Sequence, residues 1–320
     1  MFAKKNIKNF FYLILTSHII IWILIPSFTN LNLPLDTIEA LAWGSNLDWG
    51  FNKHPPFSAF AVELFYQVFG NQDWAYYFLS QLFIISSFLI IFKLAIEFFD
   101  NIYLAAISLL LLEGIFFFNY TSPEFNVNIS QLPFWALSIL FTWRCIKNDK
   151  LTDYILLGIF MGLGFLSKYL FVYLILSVTF LILYFKINKK IKSLNFLITA
   201  PVFLLIIFPH LIWLVNNDFI TIKYGLKRTG EVYNYSNHFI FPALFIFKQF
   251  IILLPFFLIF FLLLKKISIK KFRLNEKMIF LIFTSVLPFL LILLTSILLG
   301  ARIRTMWMAP FYLLAGVTFV

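Results

Sequence analysis

Apolar runs long enough to cross a bilayer recur from one end of this chain to the other, separated by short basic clusters. A helix needs about 20 residues for one crossing, and within hydrocarbon every backbone polar group must be satisfied inside the segment. The runs are continuously apolar rather than alternating, so they describe helices and not barrel strands. With 62% hydrophobic and 12% charged residues, the chain has too little polar surface to cover a soluble globule. The expectation is an all-α polytopic membrane protein with about ten crossings.

The formal charge of +11 does not point to nucleic acid, because the basic residues sit in clusters between apolar runs, as the positive-inside rule requires. Placing the N-terminus in the cytoplasm gathers four clusters there: Lys4/Lys5/Lys8, Arg144/Lys147/Lys150, Lys186/Lys189/Lys190/Lys192, and Lys265/Lys266/Lys270/Lys271/Arg273/Lys277. Lys53, Lys223, Lys227, Arg228, Arg302 and Arg304 remain outside, against the trend, which makes them informative. The run Phe10 to Ile25 has no small-residue cleavage site after it and is read as a retained first helix. A single cysteine, Cys145, offers neither a disulfide framework nor a metal motif.

The chain reads as one transmembrane domain over residues 1–320, with an external loop at about 27–57, an interfacial helix at about 58–69 and a second external loop at about 216–241. Further crossings are expected at Trp74 to Phe98, Ile102 to Tyr120, Val127 to Trp143, Tyr154 to Leu166, Tyr169 to Phe185, Phe196 to Val215, Pro242 to Leu264 and Met278 to Leu299. The run Met306 to Val320 stops before a full span, so the chain is expected to be truncated.

The first loop, LPLDTIEALAWGSNLDWGFNKHPPF, carries the densest chemistry. Asp36 and Glu39 share a helix face with Trp43 one turn on, and the two carboxylates suit the binding of a hydroxyl or amine nucleophile. The competing reading is a capping box, with Asp36 as N-cap and Glu39 three residues later. Lys53 meets a phosphate or faces solvent, and His54 is a proton shuttle or a prop for a loop stiffened by Pro55 and Pro56. Asp48 and Trp49 shape a pocket or cap a turn. Lys168 interrupts a long apolar stretch, where a buried ammonium seeks an anion such as a lipid phosphate, unless it snorkels to the headgroups. Arg302 and Arg304 suit bidentate binding of phosphate oxygens, with a stop-transfer flank as the alternative. Glu124, Asn126 and Asn128 offer hydrogen bonds to ligand hydroxyls or simply cap a helix. Tyr224, Tyr233 and Tyr235, beside Lys223, Lys227 and Arg228, form either a headgroup or acceptor surface or an interfacial aromatic belt.

The motifs LDTIEALAWG, DWG, KHPPFSAF, PEFNVN, LPFWAL, GIFMGLGFLSKY and GARIRTMWMAPFYLLAG together resemble glycosyltransferase family 39, over nearly the whole chain. The family contains protein O-mannosyltransferases and aminoarabinose transferases of the GT-C superfamily. The resemblance implies a GT-C helix bundle and a sugar donor carried on polyprenyl phosphate. It implies inverting transfer with Asp36 as base, on the periplasmic side of a bacterial inner membrane, to a lipid A, glycan or protein acceptor. The family's Asp-Glu pair is not adjacent here, since Thr37 follows Asp36 and the acid returns at Glu39. By the same resemblance the family's lysine or histidine before Pro-Pro falls on His54, and with the residues read above the substrate-contacting candidates are Glu39, Trp43, Lys53, His54, Glu124, Asn126, Lys168, Tyr169, Arg302 and Arg304. With no nucleotide-sugar or metal motif, no cofactor is expected. The partners expected are the donor, the acceptor and membrane lipids, without nucleic acid. A rival class is a non-catalytic transporter or flippase of lipid-linked sugars, whose intramembrane charges would line a path. An inactive remnant is a third.

Overall fold

The computed structural model describes residues 4–230, 234–264 and 275–320. Tyr233 and the basic positions Lys265, Lys266, Lys270, Lys271 and Arg273 lie outside the described residues. Among the described residues, every regular element is helical.

Two long helices frame one side. Helix α1 (Lys4–Thr29) packs on α4 (Asp73–Phe99), whose 27 residues reach roughly 40 Å, more than the hydrocarbon thickness. Between them in the chain come two short helices, α2 (Leu35–Gly44) and α3 (Phe57–Phe69). Helix α5 (Ile102–Leu110) is followed by tight 3-10 turns to Phe118, then α6 (Val127–Ser130) and α7 (Leu132–Asn148). Helices α8 (Leu151–Ser167) and α9 (Val172–Ile187) are separated by a break at Lys168. Then come α10 (Thr199–Asn216), α11 (Ile220–Thr229), α12 (Asn237–Ile252) and α13 (Leu254–Leu264). The last elements are α14 (Glu276–Leu281), continued by one π-helical turn into α15 (Leu287–Leu299), and α16 (Ala315–Phe319).

Five helical spans among the described residues are long and apolar enough to cross a membrane, or six if α12 and α13, bent by 48°, count as one. The expected crossing Ile102 to Tyr120 is not a continuous helix. Its α-helical part ends at Leu110, and Gly114 lies so close to the backbone of Phe256 that a Cβ there would meet Phe256 Cα at 2.7 Å. The run Met306 to Val320 likewise splits into 3-10 turns, which contain the donor-less Pro310, and α16. Hydropathy registers apolar length but not these interruptions. Helices α7 and α8, at 17 residues each, reach about 25 Å.

Helix α8 is packed between α7 and α10. Gly158 and Gly162, one turn apart, make the second contact close: a Cβ on Gly158 would stand 2.7 Å from Thr199 O, and one on Gly162 would stand 2.6 Å from Ile206 Cγ2. Small residues at this spacing let two apolar helices approach where lipid offers no hydrophobic gain. Far from the first loop, Glu97 and Asp100 at the end of α4 meet Lys147, Lys190, Glu276 and Lys277 around one charged depression. Lys147 pairs with Glu97 and Lys277 with Asp100, each at 3.8 Å, and Lys190 pairs with Glu276. The bundle therefore has one end fastened by ion pairs and an opposite end, at the starts of α4 and α7, where the first loop sits.

Candidate active site

Pro34, with φ −58°, starts α2 two residues earlier than a capping box at Asp36 would require. Asp36 stands inside the first turn, and no side chain caps the helix. The capping reading is therefore corrected: the Asp36 carboxyl is spared from the helix end. Its backbone N–H donates to Glu124 Oε1 (3.3 Å), and Thr37 Oγ1 donates to Phe125 O (3.1 Å), which docks α2 on the turn before α6.

Asp36 lines a cavity of about 520 Å³ together with Glu39, Lys53, His54, Lys168, Tyr169 and Arg228. Burial raises the Asp36 pKa above the usual carboxylate range, Glu39 adds to the rise, and Lys168, Lys53 and Arg228 oppose it. Glu39 forms an ion pair with Lys53, whose hydrogen bond lifts the lysine further above its ordinary value. Burial, with Lys168, Lys53 and Arg228 nearby, pushes the His54 imidazole down to about 3. A shuttle near neutral pH needs a pKa near 7, so His54 fits the other reading: its carbonyl accepts from Phe51 N–H (3.0 Å) and props the loop.

The break between α8 and α9 places the key cation. Lys168 is extended (φ −162°, ψ 135°), and only 4% of it is exposed, so it does not snorkel. Its Nζ donates to Asn128 Oδ1 and stands 5.1 Å from the Trp307 ring centroid. Burial lowers this ammonium to about 7, against the pull of Asp36. Asn128 is placed by Asn126, whose Oδ1 caps α6 by accepting from the N–H of Asn128 (2.8 Å) and Ile129 (3.3 Å). Glu124 and Asn126 thus stand behind the cavity wall rather than in its lining. Burial and Asp36 raise the Glu124 pKa.

Arg302 and Arg304 are not among the lining residues either. The alternation of the turn points Ala301 and Ile303 into the cavity, leaving Arg302 exposed and Arg304 half-buried. The arginine that lines the cavity comes instead from α11, whose residues Thr221, Tyr224, Gly225 and Arg228 recur at helical spacing along it. Arg302 N–H donates to Thr229 O (2.8 Å), so the turn buttresses that helix. The i, i+3, i+4, i+7 pattern of α11 was the sequence signal for Arg228. Tyr169 lines the cavity and bonds His210 Nε2 through its hydroxyl (2.7 Å), while His210 Nδ1 holds Trp49 O (2.6 Å). Trp43 lies outside the cavity, stacked on Phe51 (5.3 Å between centroids) and edge-on to His54 (5.9 Å). The wall opposite the charges is apolar, with Val172, Ile292, Leu299 and Met306.

The profile of the family described as dolichyl-phosphate-mannose-protein mannosyltransferase matches residues 53–213, half of the chain. The chain belongs to this mannosyltransferase family. A further similarity is to the lipopolysaccharide core galacturonosyltransferase RgtB of Rhizobium johnstonii, 25% identical over 238 residues that cover 72% of this chain and 47% of the relative. The fold of this family member is also that of ArnT from Cupriavidus metallidurans. The form bound to undecaprenyl phosphate superposes with a TM-score of 0.67 at 13% identity, over 96% of this chain and 59% of ArnT. The apo form gives 0.66 at 14% identity, over 98% and 59%. The chain therefore has the GT-C-type bundle of an integral, multi-pass membrane protein, and it spans about half the length of the curated relative it matches.

Chemically, the cavity offers one carboxylate free of any cap, three cations and an apolar wall. It suits a ligand that is anionic at one end, apolar at the other, and reactive beside Asp36.

Proposed function

We propose that the protein is a glycosyltransferase that takes its sugar from a polyprenyl-phosphate donor and passes it to an envelope acceptor. The observation that carries this reading is the shared cavity of Asp36, Lys168, Lys53 and Arg228 facing apolar side chains. The donor phosphate sits against Lys168 and Arg228, and the isoprenoid follows the apolar wall toward Val172 and Leu299. The bound undecaprenyl phosphate named for ArnT supports a lipid of this class.

Transfer is a single displacement. The acceptor oxygen attacks the anomeric carbon, its proton goes to Asp36, and the bond from that carbon to the phosphate oxygen breaks with inversion. The leaving phosphate is ionised at neutral pH and needs no proton, so catalysis rests on cations already in place around it. A raised Asp36 pKa makes it a better base than a solvent-exposed carboxylate. Glu39 is occupied by Lys53, and Glu124 by the backbone of Asp36, which leaves Asp36 for the reaction.

The site faces the periplasmic side of a bacterial inner membrane in this reading. The ion-paired end then takes the cytoplasmic side, consistent with the basic clusters that supply Lys147, Lys190 and Lys277. The relative named for lipopolysaccharide core transfer supports an envelope glycan as acceptor. The test is to give purified protein in nanodiscs a polyprenyl-phosphate-linked sugar with an envelope extract as acceptor. Release of polyprenyl phosphate together with a glycosylated acceptor is expected. Movement of intact donor across the bilayer without release would instead identify a flippase.

A further inference from the structure

A second depression, of about 660 Å³, opens on the far side of the first loop from the donor cavity. Trp43, Asn46, Asp48, Asn52, Trp213 and Asn217 surround it, and no lysine, arginine or histidine lines it. In a chain with a net charge of +11, a cleft without a cation is poorly suited to a phosphate or carboxylate ligand. Its polar groups are amides and one carboxylate. The side-chain amides of Asn46 and Asn52 have no hydrogen-bond partner among the described residues and are exposed to the cleft. Asn217 donates through Nδ2 to Trp213 O (2.8 Å), which leaves its Oδ1 open.

The cleft is rigidly built. Trp213 Nε1–H donates to Asp48 Oδ2 (2.7 Å), and Trp49 N–H donates to Asp48 Oδ1 (2.7 Å). His210 holds Trp49 O, and Thr221 Oγ1 donates to Phe51 O (2.6 Å). Gly50 is required where the loop crosses the indole, because a Cβ there would stand 2.3 Å from Trp213 Cε3. Two indoles fixed beside free amides and a carboxylate that still has lone pairs to offer make a surface for hydroxyl groups on a weakly polar ring.

The cleft also borders the reaction chamber. Trp43 touches His54, which lines the donor cavity, and Asn52 is followed directly by Lys53 of that cavity. On α11, Ile220 faces the cleft and Thr221 the cavity.

We propose that this cleft seats a neutral sugar ring of the acceptor, adjoining but distinct from the cation-lined donor cavity. The inference rests on the transfer reading above for the word acceptor, but the binding of a neutral saccharide is testable alone. The probes are methyl glucoside, methyl galactoside and methyl mannoside, with glucose 1-phosphate as the charged comparison. Saturation-transfer NMR would be recorded on the full chain in phosphatidylcholine nanodiscs with undecaprenyl phosphate at saturation, so that the cation-lined cavity is filled and only the cleft is open to the probes. At least one neutral glycoside is expected to bind, and glucose 1-phosphate to bind more weakly. The double variant Asn46→Ala/Asn52→Ala, whose side chains support no other group, should weaken that binding by roughly three- to tenfold while leaving undecaprenyl phosphate binding unchanged. Trp213→Phe, which keeps a ring but releases Asp48, should weaken it as well. Asp36→Asn should leave saccharide binding intact. Failure of all three glycosides to bind, unaltered binding in the double variant, or stronger binding of glucose 1-phosphate would each overturn the proposal. Saccharide binding in a protein that transfers no sugar would overturn the transfer reading and leave the cleft standing.

Discussion

At the scale of single residues, the account turns on which charges share the cavity with Asp36. Lys168 is buried and its ammonium is held at about 7, so it loses its proton as pH rises above neutrality unless a phosphate is bound. A phosphate monoester is already a dianion in that range, its second pKa lying near 6. Affinity for undecaprenyl phosphate is therefore expected to fall by about tenfold per pH unit over roughly pH 7.5 to 9. Lys168→Arg keeps its charge throughout, and its profile should be flat. Identical profiles for the two proteins would contradict the role given to Lys168. Arg228 lines the cavity and Arg302 does not. Arg228→Ala should therefore weaken donor binding by about 10- to 100-fold, and Arg302→Ala by much less. Equal losses in equilibrium binding would return the clamp to the 301–304 turn. That Asp36, Lys53 and Lys168 are candidates was legible in the sequence because ionisable groups beside long apolar runs are costly, and the structure brings the three to one cavity. Arg302 and Arg304 attracted attention for the same reason, but a strand-like alternation turns Ala301 and Ile303 inward instead.

At the scale of elements, the break after α8 decides where Lys168 points, and the packing of α8 on α10 holds that break in position. Gly158 and Gly162 make this contact possible. Gly162→Val would force its side chain into Ile206 and should lower stability by about 1 to 3 kcal/mol, read as a lower thermal midpoint in detergent. An unchanged midpoint would show that α8 and α10 can separate without cost. The helix type and most of the positions were readable from apolar periodicity and length. Continuity was not. The 3-10 turns after α5 and those before α16 follow from Gly114 packed against the Phe256 backbone and from Pro310, which are tertiary and local effects that a hydropathy window averages away. The start of α2 hung on a similar detail, since Pro34 moves the helix end by two residues and frees Asp36 from capping.

At the scale of the whole molecule, the fold separates the end that carries the Asp36 cavity from an ion-paired end, about the length of α4 apart. Ser45 is exposed at the first end and Asn188 at the other, and the natural cysteine, Cys145, is buried. In intact cells, a membrane-impermeant maleimide should label Ser45→Cys but not Asn188→Cys, and the reverse pattern would invert the topology. The convergence of the first loop, α6, the α8–α9 break and α11 on one cavity was beyond the reach of sequence reasoning, because no spacing along the chain connects residues 36, 128, 168 and 228.

The most direct measurement is the release of polyprenyl phosphate from a polyprenyl-phosphate sugar by purified wild-type and Asp36→Asn protein, with donor binding followed in parallel. The account predicts that Asp36→Asn binds donor as the wild type does but loses turnover by about 10²- to 10⁴-fold, as expected for removal of a general base. Turnover at the wild-type rate in Asp36→Asn would contradict it.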